Sequence, residues 1–101
     1  MEFSVPEELK NSLRLTCAVL LAGGDKDFRT LKKLTKATDG NLSVQLSHLE
    51  EAGFLTAEKG YLGKRPRTVY RLSAHGRAVL TGYLALLQQA LSGATDMEKE
   101  E

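Results

Sequence analysis

The sequence predicts a mainly α-helical domain carrying one small β-hairpin, an α+β chain with its elements in the order α-α-α-β-β-α. Three observations point there. Up to Gly53 the apolar residues recur three and four apart, the period of a half-buried helix. Between Phe54 and Leu72 the pattern changes to short runs rich in β-branched and aromatic residues, punctuated by Gly and Pro. From Ser73 onward the helical period returns. The chain has 101 residues, 42% of them hydrophobic, which suits one modest core and a single domain.

Each element follows from local chemistry. Pro6 fits a first helical position, and Glu7 and Glu8 follow it where the helix dipole favours acids. Leu9, Leu13, Thr16 and Leu20 form one row and Leu15, Val19 and Ala22 a second, so the first helix is expected over residues 6–22, ended by Gly23-Gly24. Asp25 or Asp27 can cap the next start, and Phe28, Leu31 and Leu34 mark a short helix over 28–35. Lys36-Ala37-Thr38-Asp39 is a tight join. The third helix, 40–52, has one buried stripe of Leu42, Leu46, Leu49 and Ala52, with Gly53 at its end. The hairpin pairs residues 54–61 with 67–72 around the loop Leu62-Gly63-Lys64-Arg65-Pro66, and its strands would set Tyr61 opposite Tyr70. Ser73 caps the last helix, 74–92, which carries two apolar rows: Leu80, Leu84, Leu87, Leu91 and Val79, Tyr83, Leu86, Ala90. One row docks this helix on the domain; the other is expected to meet a second copy of the chain.

Fourteen Lys and Arg face thirteen Asp and Glu, a net charge of +1 that hides an asymmetry. Residues 59–77 hold Lys59, Lys64, Arg65, Arg67, Arg71 and Arg77 and no acid, whereas the last six residues hold four acids and one lysine. A charge run is often only a solvated face, but clustered cations are also the footprint of nucleic-acid binding. The division expected is a folded unit over residues 1–93 and an acidic, disordered tail over 94–101.

A short helix, a tight turn and an amphipathic helix make a helix-turn-helix, whose second helix enters the major groove of DNA. The free face of the 40–52 helix offers Asn41, Ser43, Val44, Gln45, Ser47 and His48, preceded by Thr38 at its cap. Gln45 suits bidentate contact with adenine, and Val44 suits a thymine methyl. The N–H groups near Gly40 and Asn41 can attract a phosphate. Lys64, Arg65 and Arg67 on the hairpin can reach the minor groove or the backbone.

The stretch from Leu34 to Leu55, with Thr38-Asp39-Gly40-Asn41-Leu42-Ser43 at its centre, and Lys64-Arg65-Pro66-Arg67-Thr68-Val69-Tyr70-Arg71-Leu72-Ser73 resemble the small winged helix-turn-helix regulators related to the MarR and ArsR groups. The resemblance spans about residues 10–90. It implies a homodimeric transcriptional regulator that binds double-stranded DNA. Carried over, the contact residues are Asn41, Ser43, Val44, Gln45, Ser47 and His48 on the recognition helix and Lys64, Arg65 and Arg67 on the wing. The sequence departs from its relatives at Val44 and Gln45, where they often have a basic residue.

The dimer surface is expected on Leu13, Cys17 and Leu20 of the first helix and Tyr83, Leu84, Leu87 and Leu91 of the last. Cys17, the single cysteine, reads as a buried structural residue, with a meeting of two Cys17 thiols across the dimer as the alternative. His48, His75 and Cys17 lack ligand spacing, so no metal site and no cofactor are expected. No nucleophile with its base, no phosphate-cradling loop and no paired carboxylates are visible, so an enzyme is not expected. No apolar run approaches the roughly 18 residues of a membrane span. A lone thiol without an export signal suits the cytoplasm, at the nucleoid when DNA is bound. The competing reading is a winged helix used as a protein-interaction module in a larger complex, against which the acid-free stretch 59–77 argues. No effector ligand can be named from the residues.

Overall fold

A computed structural model describes residues 4–93. A 3₁₀ turn, Glu7–Leu9, precedes α1 (Ser12–Ala22), β1 (Lys26–Asp27), α2 (Phe28–Thr35), α3 (Asp39–Glu51), β2 (Leu55–Leu62), β3 (Arg65–Leu72) and α4 (Ala74–Ser92). The three strands form one antiparallel sheet in the order β1-β3-β2. The expected tail 94–101 lies outside the described residues.

The expected first helix, 6–22, is divided. Asn11 is extended, with φ −98° and ψ 131°, and its side-chain oxygen accepts the Arg14 N–H at 3.0 Å, so a new helix starts at Ser12. Its buried side is Cys17, Ala18 and Leu21, between the two apolar rows read from the sequence, and Val19 is exposed. α2 matches its expected bounds: Asp27 caps it by accepting from the Thr30 N–H at 2.8 Å, and Lys36 ends it with φ 59°. The Lys36 conformation is left-handed, which sharpens the corner into α3. α3 begins one residue earlier than expected, because Thr38 is the cap and accepts from Asn41.

α3 closes with the two-bond pattern of a Schellman motif. Phe54 N–H donates to the Leu49 carbonyl at 2.9 Å and Gly53 N–H to that of Glu50 at 3.0 Å. Gly53 has φ +77°, a conformation that favours glycine, and Phe54 is delivered fully buried into the core. Leu31, Leu42, Leu46, Leu49, Leu55, Leu72 and Leu80 surround it together with Cys17, Ala18 and Leu21. Ala52, expected on the buried stripe, is only half-buried.

The hairpin is longer and tighter than expected. A two-residue turn, Gly63-Lys64, joins strands that run to Leu62 and Arg65. Gly63 has φ +66° while Lys64 keeps a negative φ, the pattern of a type II′ turn. This register sets Tyr61 opposite Pro66 and Tyr70 opposite Ala57, so the two tyrosines do not face each other. Residues flanking a two-residue turn exchange the ladder bonds, so Pro66, one step on, turns its nitrogen away from β2 and leaves no donor missing. β1 pairs Lys26 with Tyr70 and Asp27 with Val69; at two residues it is too short to show a period in sequence.

Candidate nucleic-acid interface

The leucine stripe of α3 is fully buried, which fixes the opposite face outward. Asn41, Ser43, Ser47 and His48 are exposed there, and Val44 is 59% exposed among them. An isolated valine on a polar face costs little and offers a methyl-sized contact. The start of α3 already holds its own acid. Asp39 lies in the first turn, where the helix dipole favours it, and Lys32 pairs with it at 2.7 Å. The Asn41 N–H is bonded to Thr38, so the helix start is less open to a phosphate than the sequence suggested.

Gln45 does not stand free on this face. Arg14 on α1 donates from Nη1 to Gln45 Oε1 at 2.7 Å, and Gln45 Nε2 donates to Asn41 Oδ1 at 3.2 Å. The same guanidinium donates to the carbonyl of Glu8 at 2.8 Å and to that of Glu7 at 3.4 Å, which anchors it to the 3₁₀ turn. The sequence reading missed Arg14, because its partner lies 31 positions away.

Beside the start of α3 lies an open groove of about 880 Å³ between α2 and the hairpin. Arg29, Lys32, Lys33 and Lys36 line one wall and Arg65 the other. Among the described residues only Lys32 of these five has a carboxylate partner, Asp39. Residues 28–38 hold four cations and, like 59–77, no acid. The same charge count marks the α2 wall.

The hairpin arginines differ in their state. Arg65, Arg67 and Arg71 share one face of β3. Arg67 Nε lies 3.0 Å from Asp27 Oδ2, and Arg71 lies 2.8 Å from Asp25. Hydrogen bonds from Thr30, side chain first and then backbone, with the Arg67 contact added, hold the Asp27 carboxyl down to about 2. A hydrogen bond from Arg71 likewise lowers that of Asp25. Arg67, expected as a phosphate contact, is paired with the α2 cap residue Asp27, while Lys59, Lys64 and Arg65 of the hairpin have no carboxylate partner among the described residues.

The profile of the winged helix DNA-binding domain family matches residues 13–91. The chain belongs to the winged helix DNA-binding domain family. This is a family of DNA-binding regulators rather than of enzymes. Over 58 residues the chain is 34% identical to the protein MJ0432 of Methanocaldococcus jannaschii, covering 57% of this chain and 63% of that relative's length. A transcriptional regulator homologue from Pyrococcus horikoshii OT3 superposes with a TM-score of 0.76 at 28% identity, covering 87% of this chain and 88% of that one. A structure described as a MarR-family transcriptional regulator, from Enterococcus faecalis V583, shares the fold with a TM-score of 0.77 at 22% identity, over 91% of this chain and 84% of that one. α3 is the helix that the sequence leads one to expect as the recognition helix, and β2–β3 the expected wing.

The winged helix domain keeps part of its apolar surface outside its own core. α4 buries only Gly76 and Leu80; Leu84 is 37% and Leu91 81% exposed, and Tyr83 and Leu87 are half-buried. Leu13 and Leu20 of α1 are half-buried as well, and with Tyr83 they pack in part against the core. Cys17 is the exception among the residues expected at a dimer surface. It is fully buried inside the chain, and burial pushes its thiol up to about 11, so it can neither touch a partner nor act as a ready thiolate. His75 packs edge-on against Phe54 at 5.9 Å, a structural role. Among the described residues no helix is long and apolar enough to cross a membrane, and no group of three His, Cys, Asp or Glu could hold a metal ion.

Proposed function

We propose that the chain is a homodimeric transcriptional regulator that binds double-stranded DNA in a sequence-dependent way. The observation that carries the reading is the juxtaposition at the α2–α3 corner. The start of α3, at Asp39, borders a groove whose Arg29, Lys33, Lys36 and Arg65 have no carboxylate partner among the described residues, while its two acids, Asp27 and Asp39, are paired with Arg67 and Lys32. Unpaired cations around a concave surface attract the phosphate backbone and supply sequence-independent affinity. Asn41, Ser43, Val44, Ser47 and His48 would then read base edges in the major groove, with Gln45 supporting Asn41. Thr38 would act at the helix cap. Lys64 and Arg65 would reach the flanking backbone or minor groove, with Arg67 holding the wing in place.

The dimer is supported by the C-terminal half of α4, where Leu84 and Leu91 are exposed and Leu87 only half-buried among the described residues. Tyr83 beside them, with Leu13 and Leu20 on α1, would complete the contact. Two recognition helices would then meet successive major grooves about 34 Å apart on a two-fold site. Residues 1–93 would form the binding and dimerisation unit, with 94–101 as an appended acidic tail.

Fluorescence anisotropy with random-sequence duplex at two salt concentrations, alongside sedimentation, tests this. The expected result is a dimer whose duplex affinity falls steeply with salt. A monomer, or salt-independent absence of duplex binding, overturns the corresponding part of the proposal.

A further inference from the structure

The amides at the start of the recognition helix have a defined orientation, set from outside that helix. A guanidinium has donors and no acceptor, so the Gln45 atom 2.7 Å from Arg14 must be its carbonyl oxygen. The Gln45 NH₂ is thereby directed along α3, and the Asn41 atom that receives it must also be an oxygen. Asn41 is exposed, and with its oxygen turned back onto the helix its NH₂ is the part left for a ligand. Arg14 is itself held by the Glu7 and Glu8 carbonyls, so the chain of bonds has a rigid origin.

We infer that Arg14 is a specificity-positioning residue: through Gln45 it fixes Asn41 as an outward donor, so that this end of the recognition helix selects guanine over adenine. Guanine offers two acceptors, N7 and O6, to a donor in the major groove, whereas adenine places its N6 donor where O6 would be. The bidentate contact between an amide and adenine needs the amide oxygen and nitrogen on the same edge. Asn41 and Gln45 have their oxygens engaged within the protein, which turns both away from that contact. The inference rests on the DNA-binding proposal and names which base its α3 face would read.

The test uses the full chain and duplexes from a pool selected for binding, with single base pairs then exchanged. Asn41→Ala identifies the position read by Asn41, as the one where discrimination collapses. There the unmodified chain is expected to prefer guanine to adenine about tenfold or more. Arg14→Met, which cannot donate, is expected to bring that ratio close to one while leaving the salt dependence unchanged. Arg14→Lys, which keeps one donor, should restore part of it. Gln45→Glu keeps the Arg14 partner but removes the NH₂, so Asn41 turns over, presents its oxygen, and the preference shifts towards adenine. Gln45→Glu decides the matter if Arg14→Met fails to fold. In the free protein, the Gln45 side-chain amide proton shifts in NMR spectra should differ from those of an unbonded glutamine and move to them in Arg14→Met.

A native preference for adenine, an unchanged ratio in folded Arg14→Met, or an unchanged preference in Gln45→Glu overturns the inference while leaving DNA binding intact. A loss of about 0.9 in the log–log salt slope of Arg14→Met would mean that Arg14 touches phosphate itself, which also overturns it. Absence of duplex binding by the unmodified chain overturns this inference and the functional proposal together.

Discussion

Gly76, in the first turn of α4, lies against the Phe54 backbone so closely that a Cβ there would sit 2.1 Å from the Phe54 carbonyl oxygen. That carbonyl also accepts the Ser73 N–H at 2.8 Å, and the Ser73 hydroxyl both caps Gly76 N–H at 2.9 Å and donates to the Gly53 carbonyl at 2.5 Å. The end of α3 and the start of α4 are therefore one knot of backbone, with Phe54 delivered to the core between them. Gly76→Ala cannot be absorbed by a side-chain rotation. It should destabilise the fold by at least the ~1–3 kcal/mol typical of overpacking, as read by urea unfolding, and Gly82→Ala, where the added Cβ meets open space, should not.

Asp27 links acid sensitivity to the wing. Its folded carboxyl titrates near 2, below the ordinary 3.8, so the carboxylate form stabilises the native state above about pH 4. That contribution is lost as pH falls from about 4 through 2. Asp27→Asn keeps a capping oxygen but loses the charge facing Arg67. The stability gap between the native chain and Asp27→Asn, measured by thermal unfolding, should be open at pH 6 and close towards pH 2. A gap independent of pH would show that the cap alone stabilises.

The same pair sorts the cations by their effect on DNA. Gln substitution of Arg29, Lys33 or Arg65 should each flatten the log–log salt slope by about 0.9 where a phosphate contact is lost. Arg67→Gln should change the slope less, because Asp27 already neutralises it. Asp27→Asn should strengthen non-specific binding by releasing the Arg67 charge. Equal effects for Arg65 and Arg67 would refute this ordering.

The outer half of α4 separates association from folding. Leu84→Glu and Leu91→Glu alter side chains that are 37% and 81% exposed in one chain, so monomer stability should change by less than about 1 kcal/mol. Sedimentation should then show a monomer with native far-ultraviolet circular dichroism. Binding to a two-fold site should weaken by a hundredfold or more, since two recognition helices would no longer be tethered. A dimer persisting in the double variant would place the association surface elsewhere.

Much of the architecture can be read from residues near one another in the chain. The leucine spacing of α3, the oxygens of Asp27 and Ser73 before their helices, Gly53 after α3, and the change of period at Phe54 each act over a few residues. Local periodicity and capping depend on that short range, so element order, the buried stripe and the exposed face of α3 were determined by the sequence itself. Folding in three dimensions decided the rest. Arg14 meets Gln45 across 31 positions and Arg67 meets Asp27 across 40, and neither separation leaves a periodic trace. Only packing α1 against α3, and β1 against β3, brings Arg14 onto Gln45 and Asp27 onto Arg67. The same packing drew Cys17 wholly inside and opened the cationic wall of α2 towards Arg65.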